Sequence, residues 1–177
     1  GLDDANIYQS FEGPTGTWTV PDIVPGLDSP EEDSDISIVF GIADSADTLY
    51  FTSNRDDPGG ATVLYSADWD GLQVTNASTV NITGGPWPMK DIQAVNYDLP
   101  DPTPDEWRMY LTSMGEVGYN VMEGDPWPMG ISADDLSPST STSGGIFIAP
   151  DGSYAFSALR CVGTVQNKCR HPSTDYS

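Results

Sequence analysis

Large apolar side chains alternate with small or polar ones over short runs along most of this chain, and glycine and proline, 18 and 15 in number, cut the runs off from one another. Alternation of period two over about four to eight residues marks a half-buried strand. The three-to-four residue apolar spacing that a helix needs is nearly absent. The pattern predicts an all-β chain of many short strands.

Three of the runs line up with one another: Thr48-Leu-Tyr-Phe-Thr-Ser53, Arg108-Met-Tyr-Leu-Thr-Ser113 and Ser153-Tyr-Ala-Phe-Ser-Ala158. An acidic turn precedes each, carrying Asp47, Asp105 with Glu106, and Asp151 with Gly152, residues whose short polar side chains or missing Cβ suit a tight reversal. Before each turn comes another apolar run: Asp35-Ile-Ser-Ile-Val-Phe40, Asp91-Ile-Gln-Ala-Val-Asn96 and Gly145-Ile-Phe-Ile-Ala149. A third strand is predicted after each pair, at Ala61 to Ser66, Gly118 to Met122 and Gly163 to Gln166. A tryptophan segment is read ahead of each unit, at Thr17-Trp-Thr-Val20, Pro86-Trp-Pro-Met89 and Pro126-Trp-Pro-Met129, the last two being near-copies.

Units of this spacing fit a four-stranded blade of roughly 40 to 50 residues with loop insertions. One such sheet cannot bury both of its faces by itself, so blades stack radially and cover each other. The expected architecture is β-propeller blades, about three four-stranded antiparallel ones, with a partial blade over residues 1–34 and units at 35–90, 91–144 and 145–177. Three blades are too few for a closed ring, which typically takes about four to eight. The chain is therefore expected to be part of a larger propeller, or to complete its sheets with another copy.

The first unit also resembles a known repeat. The segments Ile7-Tyr-Gln-Ser10, Gly16-Thr-Trp18, Ser29-Pro-Glu-Glu-Asp33, Asp47-Thr-Leu-Tyr-Phe-Thr-Ser-Asn-Arg55, Gly59-Gly60 and Leu64-Tyr65 are similar to the PD40 (WD40-like, TolB-type) β-propeller repeat. The second unit departs from it, with Met114-Gly115 where the first has Asn54-Arg55, and the third keeps Pro150-Asp-Gly152 and Arg160. The resemblance implies blades around a channel, protein or glycan recognition in the cell envelope or outside the cell, and a structural role for Arg55 and the acidic residues before the first strand. It implies no single chemistry, because one fold hosts many functions.

Composition narrows the partners. Six basic and 27 acidic residues leave a formal charge of −21, which repels nucleic acid and anionic membrane surfaces and favours solubility in salt. No apolar run is long enough to insert across a membrane as a helix. Seven residues separate Cys161 from Cys169, a spacing that suits a disulfide across a short loop and so an oxidising compartment. Zinc ligation with His171 is the alternative, although zinc takes more ligands than these three. Asn76-Ala-Ser78 and Asn81-Ile-Thr83 are N-glycosylation sequons, expected on a surface loop of a secreted eukaryotic chain.

Catalytic signatures are sparse. Ser66-Ala-Asp-Trp-Asp-Gly71 resembles the Asp-box turn of sialidase-type propellers, with one extra residue before the glycine, and such turns serve folding rather than chemistry. Sialidase chemistry needs clustered arginines, but the chain has only Arg55, Arg108, Arg160 and Arg170. No cofactor is required by any motif. Calcium is the inorganic partner that acidic loops suit, with Asp56, Asp57, Asp68 and Asp70 as oxygen ligands or else as solvated turns. Trp18, Trp69, Trp87 and Trp127 offer flat faces for sugar rings, with Arg55 alongside, or else they plug the spaces between blades.

The expected function is that of a secreted or cell-surface, non-catalytic propeller module, extracellular or periplasmic, that binds protein or glycan or builds an extracellular assembly. Two alternatives stand beside it, a propeller-type glycoside hydrolase or lyase and a structural subunit of a filament or layer.

Overall fold

A computed structural model describes residues 6–40, 47–85, 87–97, 106–113, 116–132, 141–148 and 155–161. Within them the chain is all-β and antiparallel, with no helix. A short hairpin, β1 (Tyr8–Gln9) with β2 (Asp22–Ile23), comes first. Sheet one follows in simple meander order: β3 (Asp33–Val39), β4 (Asp47–Ser53), β5 (Val63–Trp69) and β6 (Val74–Thr79). Sheet two repeats that order with β7 (Lys90–Tyr97), β8 (Glu106–Ser113), β9 (Glu116–Val121) and the two-residue β10 (Ile131–Ser132). A further pair, β11 (Ser141–Ile148) and β12 (Ala155–Cys161), closes the described chain.

Each expected strand pair is present as an antiparallel partnership: β3 with β4, β7 with β8, and β11 with β12. The aligned runs of the first two units sit in equivalent registers, Ser37 opposite Tyr50 and Gln93 opposite Tyr110, whereas the third is offset by one, with Phe147 rather than Ile146 opposite Phe156. Each first strand carries one irregularity against its partner, between Ser34 and Ile36, between Lys90 and Gln93, and between Ser143 and Ile146. In the first two an aspartate occupies the extra position with left-handed backbone, Asp35 at φ 47° and Asp91 at φ 53°, a conformation that aspartate tolerates better than most residues. Two glycines, Gly144 and Gly145, lie in the third.

Side-chain alternation then divides sheet one into two buried faces. Leu49, Phe51, Tyr65, Ala67 and Val74 pack against Ile7, Val24 and Leu27 of the N-terminal segment. Gly26 makes this approach possible: at φ +92° a Cβ there would lie 2.3 Å from the Val74 carbonyl oxygen, and the neighbouring Pro25 carbonyl accepts the Val74 amide at 2.9 Å. The other face, with Tyr50, Leu64 and Val80, packs against Ile82, Met89, Ile92, Met109, Leu111 and Trp127. Each large side chain buried this way contributes on the order of 1.5–3 kcal/mol.

Met109 and Leu111 of β8 occupy the places of Leu49 and Phe51 in β4 and likewise face the unit before them. The two sheets also meet through polar ties. The Ala94 amide donates to Ser37 Oγ at 2.9 Å, linking β7 to β3. Thr62 and Met89 exchange two hydrogen bonds, Thr62 Oγ1 to the Met89 carbonyl at 2.8 Å and the Met89 amide to the Thr62 carbonyl at 3.0 Å. First strands run side by side from unit to unit, β3 beside β7 and β7 beside β11.

The near-copies at Trp87 and Trp127 are not equivalent. Pro126-Trp-Pro-Met129 does not lead into a new unit; it lies between β9 and β10, inside sheet two, and returns to bridge Ile82 in parallel. Trp87 precedes β7, as expected. The reason is geometric: a proline-flanked tryptophan fits any connection that runs over an apolar sheet edge, so local similarity does not report position within a unit. The predicted third strand at 163–166, the acidic turn at 151–152, Cys169 and His171 lie outside the described residues.

Candidate functional site

Arg55 and Asp33 tie the loop after β4 to the start of β3. Asp33 is wholly buried, and Arg55 Nη2 donates to its Oδ1 at 2.9 Å while Ser29 Oγ donates to its Oδ2 at 2.7 Å. Arg55 Nε donates to Ser53 Oγ at 3.3 Å. The guanidinium lies 4.9 Å from the Phe51 ring centre and 5.5 Å from that of Tyr65, close enough for cation–π attraction. Arg55 is thereby held as a tie between the loop after β4 and the start of β3. Arg108 plays a related part in sheet two, paired with Glu106 and stacked 4.8 Å over Tyr119. Burial alone would lower its pKa, but hydrogen bonds to Glu106 and Tyr110 outweigh that and hold the guanidinium more firmly charged than usual.

Tyr65 completes the first knot, donating its phenol to Asp56 Oδ2 at 2.6 Å. Burial, and then the hydrogen bond to and negative charge of Asp56, push its pKa far above the ordinary value of 10.0. The folded protein therefore keeps this proton where an unfolded chain loses it. Its contribution to stability is complete below pH 10 and declines as pH rises beyond it, because the unfolded state then binds fewer protons. Tyr65→Phe is expected to flatten the fall of melting temperature between about pH 9.5 and 11 relative to the parent. An unchanged alkaline slope would show that Tyr65 is not the group responsible; Tyr50, also raised by burial, keeps its share in both proteins.

Asp56 and Asp57 border a cleft of about 360 Å³ whose other side is formed by Thr79, Asn81 and Ile82. Asn54 braces their loop by accepting the Glu32 amide at 3.0 Å and donating to the Gly60 carbonyl at 3.3 Å. A Cβ on Gly60 would lie 2.9 Å from the Asp57 carbonyl oxygen as well as against its carboxylate, so the loop would have to shift to take one. The second expected acid pair sits at the opposite end of β5. Asp68 accepts the Asn76 side-chain amide at 2.6 Å, and Asp70 accepts the amides of Leu72 and Gln73, both at 2.9 Å. Those amides hold the Asp70 carboxyl below its usual range. This segment is the Asp-box-like turn, and Asp70 closes it. The four aspartates do not converge, and among the described residues no three acidic, histidine or cysteine groups come together.

The four tryptophans that could offer a sugar platform, out of five in the chain, occupy four different settings. Trp18 is 66% exposed on the N-terminal hairpin, bridged to Glu12. Trp69 ends β5, half-buried against the core of sheet one. Trp127 is only 8% exposed; its ring packs 5.7 Å from that of Tyr50 across the junction of the two sheets and borders a small polar cleft there. Its face is therefore core rather than platform. Trp87, 38% exposed, forms one wall of a cleft of about 290 Å³ at the margin of sheet two.

That second cleft includes residues the sequence did not single out. Tyr119 and Ile131 are cross-strand partners in β9 and β10, and Met129 stands beside them, 62% exposed. Met129 closes the second Pro-Trp-Pro-Met segment, but no motif marks Tyr119 or Ile131 as site residues, and the pairing register of β9 and β10 brings them to Trp87. Of the sequons, Asn76 and Asn81 are both exposed, Asn76 within β6 at φ 55° and Asn81 just beyond it. Cys161 is the last residue of β12.

Comparison with models of known protein families, with curated proteins and with solved structures yields no match.

Proposed function

We propose that this chain is a non-catalytic, extracellular or cell-surface β-propeller module of the PD40-like kind whose work is recognition of glycan or protein. The observation that carries the reading is the succession of first strands, β3 beside β7 beside β11, with the second strands β4 and β8 turning equivalent side chains toward the unit before them. Radial stacking of blades produces this neighbour relation. A two-layer sandwich would instead cover one whole sheet with the other.

Recognition is favoured over catalysis because the groups with displaced pKa values are engaged by the fold itself: Tyr65 borders the first cleft but donates its phenol to Asp56, Asp70 closes its turn, and Arg108 pairs with Glu106. The charge of −21 and both clefts suit a soluble surface that meets ligands outside the cell. An assembly subunit is a second reading, favoured by four large apolar residues exposed on the N-terminal hairpin, Tyr8, Phe11, Trp18 and Val20.

Incubation of the native protein with a glycan array, and of the same glycans in solution followed by product chromatography, tests the reading. Retention of at least one glycan class with no turnover is expected. Cleavage products would defeat the non-catalytic reading, and electron-microscopy class averages of a flat two-layer particle would defeat the propeller.

A further inference from the structure

The cleft beside Trp87 stands apart from the surface around it. The chain carries 27 acidic and six basic residues, yet none of the described residues lining this cleft is charged. Leu111 and Val117 form its apolar depth, Trp87 and Tyr119 supply aromatic rings, and Ser113 and Asn120 bring a hydroxyl and an amide. An ionic ligand would lose its hydration there without meeting a counter-charge, and an anion would also be opposed by the field of the whole protein.

The geometry points to a binding site for a neutral sugar ring, with Trp87 as its stacking platform. This rests on the glycan-recognition reading above and names the place where it occurs. A pyranose has an apolar C–H face and a rim of hydroxyls, which matches an indole wall flanked by a few neutral hydrogen-bonding groups.

The platform is pre-set. The indole lies directly on the Gly84-Gly85 turn, where a Cβ on Gly85 would be 3.3 Å from Trp87 Cδ1 and one on Gly84 3.7 Å from Cζ2. Asn120 is 2% exposed, and its Nδ2 donates to the Pro128 carbonyl at 2.9 Å, which fixes the plane of its amide. Gly130 lies over that amide, where a Cβ would touch its Oδ1 and Nδ2 at 3.4 Å. Rigid groups lose little entropy on binding. A volume of about 290 Å³ lies at the low end of small-molecule sites, which suits a short sugar.

Isothermal titration of the native protein with neutral disaccharides of gluco, galacto and manno configuration, with a uronic-acid oligosaccharide and with a neutral leucine-rich peptide tests the site. At least one neutral sugar is expected to bind. Trp87→Ala is expected to weaken it about tenfold or more, and Trp87→Phe to keep most of the affinity. Leu72→Ala, which alters an exposed apolar residue elsewhere, leaves it unchanged. Cooperative melting transitions that begin above the titration temperature show that each of the four proteins is folded under the conditions of the test. Binding of the uronate or the peptide alone overturns the proposal. Sugar binding that Trp87→Ala does not move overturns the site and leaves glycan recognition standing elsewhere on the protein. If no neutral sugar binds, the site and the glycan part of the functional reading fall together.

Discussion

Replacing Arg55 with alanine is expected to cost about 3–5 kcal/mol of folding stability, the range for removing one partner of a buried ion pair. The effect is large because of what stays behind. Asp33 is 0% exposed, so its carboxylate would remain away from water with Ser29 Oγ as its side-chain donor. The guanidinium also lies over Phe51 and Tyr65, and that packing is lost with it. Arg55→Lys should recover only part of the loss, since an ammonium cannot reproduce a planar group that reaches Asp33 and Ser53 while lying over two rings. Chemical denaturation of the three proteins measures this. A change below about 1 kcal/mol for alanine would place the pair among exposed salt bridges and remove Arg55 from the framework.

Trp127→Ala is the second large effect, expected at about 3–5 kcal/mol because a nearly buried tryptophan leaves a cavity that neighbours fill incompletely. Its ring bridges the sheets by lying against Tyr50. Its backbone is held on the turn after β6, the Trp127 amide donating to the Asn81 carbonyl at 2.8 Å and the Thr83 amide to the Trp127 carbonyl at 2.9 Å. The same substitution at Trp87, 38% exposed, should cost clearly less. Melting curves of the two variants decide between packing and platform for each ring. Equal losses would contradict the different roles assigned to the two near-identical segments.

Much of the framework was legible along the chain. Thr48–Ser53 and Arg108–Ser113 read as equivalent second strands, and β4 and β8 turn equivalent residues toward the preceding unit: Leu49 and Phe51 in one, Met109 and Leu111 in the other. A period of two leaves a strand between covered layers few choices of register, because a slip of one residue would exchange its two faces. Asp35 and Asp91 were legible as strand starts but not as bulges, since their left-handed backbone is imposed by pairing with β4 and β8.

The candidate sites were less legible. Four tryptophans look alike in sequence and end in four environments, and the residues that join Trp87 are supplied by a cross-strand register and a connection that leaves the sheet and returns. The four aspartates offered for calcium lie at two ends of β5.

The amino-acid sequence by itself determined that this protein is built of short antiparallel strands, which strands pair within each unit, and that its surface is strongly acidic. Those properties come from alternation, turn chemistry and charge, all of which act between near neighbours or add up over the whole chain. Only the tertiary structure decided which tryptophan is buried, which acid pairs with Arg55, and which cleft is lined, among the described residues, by uncharged side chains. Burial and pairing at those places join residues far apart in the chain, as Asp33 and Arg55 or Tyr50 and Trp127 are, and local pattern does not encode contacts made across a sheet junction.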